Sequence, residues 1–131
     1  YRSTGWKVVH VKPSFNSTFP IYLQIMEQIK QQIVSGVRKP GSKVESVREL
    51  AQQMEVNPNT MQRAFAELER GGLLHTERTA GRFITDDITR INAVREESAQ
   101  KVISNFMDAM QHLGFSQIDI MQLVKKYTGE G

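Results

Sequence analysis

The sequence predicts a mainly α-helical protein that carries one small β-hairpin. Three segments in its first half combine helix start signals with apolar residues at helical spacing. Two short apolar stretches around a basic, glycine-containing loop follow them, and a second helical region comes after the loop. This order of elements predicts a winged helix-turn-helix domain followed by a two-helix tail.

Composition and charge narrow the class of protein without naming a function. The length of 131 residues suits one domain, or one small domain with an appendage. The net charge of +3 permits a nucleic-acid partner. The chain has no cysteine, which excludes disulfides and thiolate chemistry and fits a reducing cytoplasm. No apolar stretch approaches the roughly 20 residues that span a bilayer, so no membrane partner is expected.

An amino-terminal arm and a first helix come before the central motif. Residues 1–18 are expected to form the arm, and its first five residues are a candidate cloning remnant because the chain does not begin with methionine. Pro20 suits the first position of a helix, where its missing N–H costs nothing. Isoleucines recur at every fourth residue from Ile21 to Ile33, and this spacing predicts one apolar helix face.

Two capped helices are predicted to meet at a tight turn. Ser46 and Glu49 have the spacing of a capping box, in which each side chain accepts a hydrogen bond from the other residue's backbone amide. After a short turn, Asn57 is predicted to cap the second helix and Pro58 to take its first position. The apolar residues of the second helix that should face the core are Met61, Ala64, Phe65 and Leu68.

The residues at the amino-terminal end of the second helix that do not face the core are polar and are expected to be exposed. These are Asn59, Thr60, Gln62 and Arg63. Amides and guanidinium groups can pair bidentately with adenine and guanine, and hydroxyls can bind phosphates. The helix amides at this end add a partial positive charge that favours a phosphate. The sequence therefore predicts that this helix binds double-stranded DNA through the major groove.

The apolar stretches that follow predict two short strands, Leu73-Leu74 and Phe83-Ile84, with a wing loop between them. The loop tip is expected to present two guanidinium groups and a glycine. These residues are Arg78, Arg82 and Gly81. A glycine lets the backbone approach the sugar-phosphate wall closely, and arginine favours a narrow minor groove. The alternative for this element is a solvated hairpin without a binding role.

Two other classes of function, a protein-interaction module and an enzyme, compete with DNA binding. A winged helix used only for protein contacts, without specific DNA binding, is the main alternative. Enzyme chemistry is not expected, because His10, His75 and His112 lack the paired spacing of zinc ligands. The sequence also has no phosphate-cradling glycine loop and no nucleophile elbow. We therefore expect no metal, no cofactor and no catalytic residue.

Six short motifs occur in a specific order between Phe19 and Thr85. They are Pro20-Ile21-Tyr22-x-Gln24-Ile25, Lys39-Pro40-Gly41, Ser46-Val47-Arg48-Glu49-Leu50-Ala51, Val56-Asn57-Pro58-Asn59-Thr60, Glu67-Leu68-Glu69 with Gly72-Leu73, and Gly81-x-Phe83. As a set they resemble the GntR family of bacterial transcription regulators. The resemblance implies a regulator, expected to be a repressor, that binds a palindromic operator as a homodimer.

The resemblance also assigns roles to particular residues. The family's guanine-contacting arginine maps onto Arg48, with Ser46 beside it as a further candidate DNA-binding residue. The start of the family's recognition helix maps onto Asn57, Asn59, Thr60 and Gln62, and its wing glycine maps onto Gly81. Two positions depart from the family pattern. Pro58 stands where many relatives have arginine, so the operator should differ, and Thr79 stands where the wing usually opens with glycine.

The region after the hairpin predicts two helices. The longer helix is expected from Ile88 to Leu113, where Gly114 ends it. Ser116 and Asp119 then have the spacing of a helix start signal. GntR regulators generally carry a large C-terminal domain that binds a metabolite, but this stretch is too short for one. It resembles the dimerisation tail of the YtrA-like branch, whose members often control operons for membrane ABC transporters.

The tail, residues 87–131, carries more apolar side chains than two short helices hide by themselves. The head, residues 19–86, offers one way to cover some of them through its first helix. A second copy of the chain offers another, by completing a two-fold bundle. The candidate dimerisation residues are Val102, Phe106, Met107, Met110, Leu113, Phe115, Ile120 and Val124. Whether a small-molecule effector binds stays open.

Overall fold

A computed structural model describes Phe15 and residues 18–129 of the chain. The predicted arm therefore lies almost entirely outside the described residues. The elements, in order, are α1 (Ile21–Val34), α2 (Val47–Met54), α3 (Pro58–Arg70), β1 (Leu74–Glu77), β2 (Gly81–Ile84), α4 (Ile88–His112) and α5 (Gln117–Thr128). The two strands are antiparallel. The mainly α-helical fold with a small hairpin is confirmed.

Helix α1 begins one residue later than predicted. Pro20 is the N-cap rather than the first helical residue, because its ψ of 136° is that of extended backbone. Its carbonyl nevertheless accepts hydrogen bonds from backbone N–H groups of the first turn. Ile25, Ile29 and Ile33 are buried as the spacing predicted, whereas Ile21 is exposed. The apolar face of α1 therefore starts one turn into the helix.

The core of the head forms where α1 and α2 pack on α3. All four predicted inward residues of α3 are buried, and Phe65 is completely inaccessible to solvent. From α2, the buried side chains are Leu50, Ala51 and Met54, while Val47 packs against the core from a half-buried position. Leu74 and Ile84 close this core from the hairpin. The helix-turn-helix is thus anchored through one apolar face of α3.

The first turns of α4 also belong to the head. Ile91 and Val94 are buried in the same core, and Arg90 Nε donates a 2.8 Å hydrogen bond to the carbonyl of Gly71. The chain accordingly separates into two compact units that divide inside α4, between Val94 and Arg95. The predicted end of the head at Asp86 differs from this division, because the prediction counts every apolar residue of α4 as part of the tail.

The hairpin differs from its predicted bounds at both strands. Leu73 precedes β1, because its N–H still donates to the carbonyl of Leu68 in the last turn of α3. Gly81 and Arg82 lie in β2 rather than in the loop, so the loop contains only residues 78–80. Residues 42–44 extend the pairing on the far side of β2, where the Val44 N–H donates to the Arg82 carbonyl at 2.9 Å.

The second unit contains the end of α4 and all of α5. Helix α4 ends at His112, one residue earlier than predicted, and Gly114 then has a φ of 94° that favours glycine. Ser116 and Asp119 form both hydrogen bonds of a capping box at the start of α5, as predicted. None of the described helices is long and apolar enough to cross a membrane.

A buried ion pair, which the sequence did not reveal, ties the end of α1 to the segment before α2. Arg38 is only 7% exposed, and its Nη1 lies 2.7 Å from Glu45 Oε1. Its Nε donates at 2.7 Å to Gln32 Oε1. A buried guanidinium needs such partners because an unpaired buried charge is strongly unfavourable. This pair therefore fixes the approach of the chain to α2.

Replacing Glu45 with glutamine should destabilise the head. The Glu45→Gln change removes the negative charge that compensates Arg38, and it should cost about 2 kcal/mol of unfolding free energy, the scale of a hydrogen bond to a charged group. Urea unfolding followed by circular dichroism measures the loss. Glu27 pairs with Lys30 on the surface of α1, so Glu27→Gln is the control and should cost less than about 0.5 kcal/mol. Equal losses in the two variants would contradict the assignment.

Candidate nucleic-acid interface

The capping box at the start of α2 leaves one exposed arginine beside it. Ser46 Oγ accepts from the Glu49 N–H at 3.0 Å, and the Ser46 N–H donates to Glu49 Oε1 at 3.0 Å, as predicted. The Ser46 side chain is therefore engaged by the cap. Arg48 is exposed. Within residues 18–129 its guanidinium has no ion-pair partner, so it can reach a ligand.

The same capping box lowers the pKa of the Glu49 carboxyl. The hydrogen bond from the Ser46 backbone N–H is the largest cause, and the bond with the Ser46 side chain adds to it. Both stabilise the charged carboxylate. Burial and the neighbouring Glu45 act in the opposite direction but are weaker. The cap thus keeps one negative charge at the start of α2, where the helix dipole favours it.

The turn between α2 and α3 passes through a left-handed residue. Glu55 has φ 56° and ψ 47°, and it is the only non-glycine residue with positive φ among those described. Asn57 then caps α3 as predicted, with its Oδ1 accepting from the Asn59 N–H at 2.7 Å. Its amide NH₂ group remains available. The turn therefore presents the first residues of α3 to solvent.

Three of the four polar residues at the start of α3 are exposed as predicted, and one of them makes a contact that the sequence did not predict. Asn59, Gln62 and Arg63 are exposed, and Thr60 is half-buried. The Arg63 guanidinium carbon lies 3.8 Å from the centre of the Tyr22 ring on α1. This cation–π contact covers one face of the guanidinium and leaves its N–H edge available. Sequence spacing could not reveal the contact, because it joins two different helices.

The wing loop exposes Arg78 and turns on a hydrogen bond from the Ala80 N–H to the Glu77 carbonyl. Gly81 follows with a φ of 108°, which a residue with a side chain rarely adopts. A Cβ atom there would also lie 3.1 Å from Cε of Lys43. Glycine at position 81 is therefore required by the protein's own backbone. Lys43, which the sequence did not single out, adds an exposed cation beside it.

The predicted place of Arg82 at the loop tip is wrong. Arg82 pairs with Thr76 inside the hairpin, and its side chain points toward α3 with only 24% exposure. Its guanidinium carbon lies 5.4 Å from the centre of the Phe65 ring. Alternation along a strand sends neighbouring side chains to opposite faces, and this turns Arg82 toward α3. Of the two predicted wing arginines, only Arg78 is presented at the tip.

The second unit presents a separate apolar surface. An open groove between α4 and α5 is lined by Phe106, Met110, Leu123, Val124, Lys126 and Tyr127. Most of the candidate dimerisation residues are exposed, while Met107 and Met110 are half-buried. Ile120 is the exception, because at 1% exposure it is buried within the single chain and cannot face a partner. Met121 and Tyr127, which are not among the candidate dimerisation residues, are exposed as well.

The histidine and acidic side chains of the described residues do not form a metal-binding cluster. Within Phe15 and residues 18–129, no group of three or more histidine, aspartate or glutamate side chains could hold a metal ion. His75 stacks on Phe83, with the ring centres 5.9 Å apart, and lies 3.2 Å from a Glu77 oxygen. These contacts place His75 in the packing of the hairpin surface.

Comparison with protein families and curated proteins gives consistent matches. The family described as bacterial regulatory proteins, gntR family, matches residues 21–84. The HTH-type transcriptional regulator YhcF of Bacillus subtilis (strain 168) is 38% identical over 117 residues, covering 89% of this chain and 97% of YhcF. The HTH-type transcriptional repressor YtrA of the same organism is 39% identical over 93 residues, covering 66% of this chain and 72% of YtrA.

Solved structures of transcription regulators also match this chain. A GntR family transcriptional regulator from Listeria monocytogenes superposes with a TM-score of 0.79 and 42% identity, covering 86% of this chain and 98% of that chain. The DNA-binding domain of AraR, solved in complex with operator ORX1, superposes with a TM-score of 0.54 and 29% identity. It covers 59% of this chain and 99% of the AraR chain.

The lowered pKa of Glu49 predicts a specific pH dependence of stability. Because the folded-state pKa lies below the ordinary value of 4.5, the stabilisation is present above that pH and is lost as the pH falls below it. Glu49→Gln should therefore be less stable than wild type at pH 7, and this difference should shrink in acid. Urea unfolding from pH 7 down to pH 3 tests this, with Glu96→Gln, at an exposed position on α4, as the charge control. A stability difference that does not change with pH would contradict the prediction.

Proposed function

Because the chain belongs to the gntR family of bacterial regulatory proteins, we propose that it represses transcription by binding a palindromic DNA operator as a homodimer. As a family member it is a transcription regulator with a DNA-binding domain. The observation that carries the proposal is the start of α3. This end of the helix is capped, exposed and polar, and its apolar face is completely buried.

The surface around α3 supports binding to duplex DNA. Asn59, Gln62 and the neighbouring Arg48 offer amide and guanidinium groups that suit base edges in the major groove. Ser46, Asn57 and Thr60 offer hydroxyl and amide groups that suit phosphates. The AraR DNA-binding domain, which has the same fold, was solved with operator DNA.

Two arginines at the edges of this surface complete the proposed contacts. Arg78 at the wing tip suits the sugar-phosphate backbone or the minor groove, and Gly81 lets the wing backbone turn beside it. Arg63, stacked on Tyr22, presents its N–H edge with restricted freedom, which lowers the entropy lost on binding. Arg82 is assigned a role within the protein instead, because it faces α3.

The tail supports the proposed homodimer. Val102 and Leu113 are 67% and 72% exposed, an unfavourable arrangement for apolar side chains in water. A second copy that covers them would give a two-fold assembly. Two symmetry-related α3 helices would then meet two half-sites, which is the physical reason to expect a palindromic operator.

The name of one relative supports repression. YtrA is named a transcriptional repressor, and similarity over most of its length places this chain in the YtrA-like branch. The resemblance extends our proposal to control of an ABC transporter operon in the bacterial cytoplasm. Sequencing the genomic fragments that the purified protein retains would test it. Fragments without transporter genes would refute this part alone.

An interaction module that binds only proteins remains the second candidate. It is separated from DNA binding by the salt dependence of affinity, because binding to phosphates releases counterions. A DNA-binding protein should show a steep, linear decrease of log affinity with log salt concentration. The interaction module should show neither sequence preference nor this dependence.

Replacing Arg48 should relax the sequence preference at one position of each half-site. The Arg48→Ala change removes the proposed bidentate contact with a base and should cost about 1–3 kcal/mol of binding free energy. Selection from random duplexes, followed by sequencing, measures the preference. Arg70→Ala is the control, since Arg70 is exposed at the opposite end of α3. An unchanged preference in the Arg48 variant would remove this residue from the proposed interface.

Introducing a charge into the groove of the tail should dissociate the proposed dimer. Phe106→Glu places a carboxylate where a partner's apolar surface would be buried, and the variant should sediment as a monomer and bind the operator more weakly. Gln100→Glu, at an exposed polar position of α4, should stay dimeric. A Phe106 variant that remains dimeric would refute the role of this surface. A truncation would have to end after Val94, because Ile91 and Val94 belong to the core of the head.

A further inference from the structure

One carboxylate on α3 contacts both strands of the hairpin at the same level. Glu69 Oε2 accepts a 2.8 Å hydrogen bond from Thr76 Oγ1 of β1. The other oxygen, Oε1, lies 3.6 Å from Nε of Arg82 on β2. Thr76 and Arg82 are direct partners across the two strands. Glu69 therefore links the recognition helix to the whole width of the wing.

Arg82 is held between Glu69 and the core. Its guanidinium lies over the ring of Phe65, which belongs to α3, as Glu69 does, and is completely buried. The Nε atom of Arg82 is inaccessible to solvent and has no hydrogen-bond acceptor within hydrogen-bonding distance. A cation in this position depends on the nearby negative charge of Glu69. Removing the Glu69 charge would leave the positive charge of Arg82 without a nearby negative charge on the hairpin face that packs on α3.

The hairpin needs such a connection because two strands alone are marginally stable. Residues 42–44 pair with the outer edge of β2. Strand β1 has no further strand beside it among the described residues, and it contacts α3 instead. The hydrogen bond between Thr76 and Glu69 is therefore a polar connection of β1 to the body of the head.

We propose that Glu69 is a positioning residue that fixes the orientation of the wing relative to α3. Arg78 at the wing tip then meets the DNA backbone while the start of α3 lies in the major groove. This inference rests on the proposed DNA-binding function. It assigns Glu69 an indirect role, since its carboxylate is repelled by phosphates and is already engaged by Thr76 and Arg82.

The test combines Glu69→Ala with Arg78→Gln and measures DNA affinity over a range of salt concentrations. In the wild-type background, Arg78→Gln should flatten the slope of log affinity against log salt by about one unit for each phosphate that is no longer neutralised. In the Glu69→Ala background the same change should flatten the slope much less, because the wing no longer holds Arg78 against the DNA. Equal flattening in both backgrounds would overturn the inference.

Matched variants separate positioning from charge and from folding. Glu67 lies on the same helix and pairs with Arg70 within α3, so Glu67→Ala changes the net charge equally and should leave the effect of Arg78→Gln intact. Glu69→Gln keeps an acceptor for Thr76 but removes the charge beside Arg82, and it should give an intermediate slope change. An effect of Glu67→Ala as large as that of Glu69→Ala would also overturn the inference.

A second measurement without DNA distinguishes this inference from the proposed function. Residual dipolar couplings of backbone amides report the orientation of residues 74–84 relative to α3. In the Glu69→Ala variant the couplings of the wing should change or average, while those within α3 stay the same. Unchanged wing couplings would refute the role of Glu69. If the wild-type protein binds no duplex, the proposed function fails, and the couplings still decide whether Glu69 fixes the wing.

Discussion

The burial of one face of α3 is the constraint on which the rest of the head depends. Phe65 and Met61 are completely inaccessible, and α1, α2 and the hairpin all pack against this helix. Because 3.6 residues make a turn, burying this face determines which side chains lie on the opposite side. Burial of a large apolar side chain contributes about 1.5–3 kcal/mol. The packing therefore sets the exposed polar surface of α3 as a consequence of stability.

Features that depend on local spacing could be predicted from the sequence. The caps of α2, α3 and α5 and the apolar face of α3 all involve residues within about two helical turns, and the structure has them as expected. The first helix was also predicted, although its start was displaced by one residue at Pro20. The candidate DNA-binding side chains at the start of α3 follow from the same periodicity, since their exposure is the complement of the buried face.

Features that join distant segments could not be predicted. The stack of Arg63 on Tyr22 and the inward direction of Arg82 depend on how elements meet in space. The ion pair of Arg38 with Glu45 spans only seven residues, but it lies in non-helical chain, where no regular spacing relates the two side chains. The pattern of basic residues placed Arg82 in a loop, but backbone pairing extends β2 to include it. The tail shows the same limit, because spacing could not distinguish Ile120, which the chain buries itself, from its exposed apolar neighbours.

The left-handed turn at Glu55 affects how the exposed polar surface at the start of α3 can change during evolution. Glycine at this position would relieve about 1–2 kcal/mol of backbone strain. It would also make the unfolded chain more flexible, which offsets about 0.4–1 kcal/mol of that gain. From these two effects the exchange is neutral or slightly stabilising for the fold, and the glutamate and glycine codons differ by a single base. Replacement of Glu55 by glycine can thus remove a negative charge just before α3 and strengthen attraction to a polyanion without a loss of folding stability.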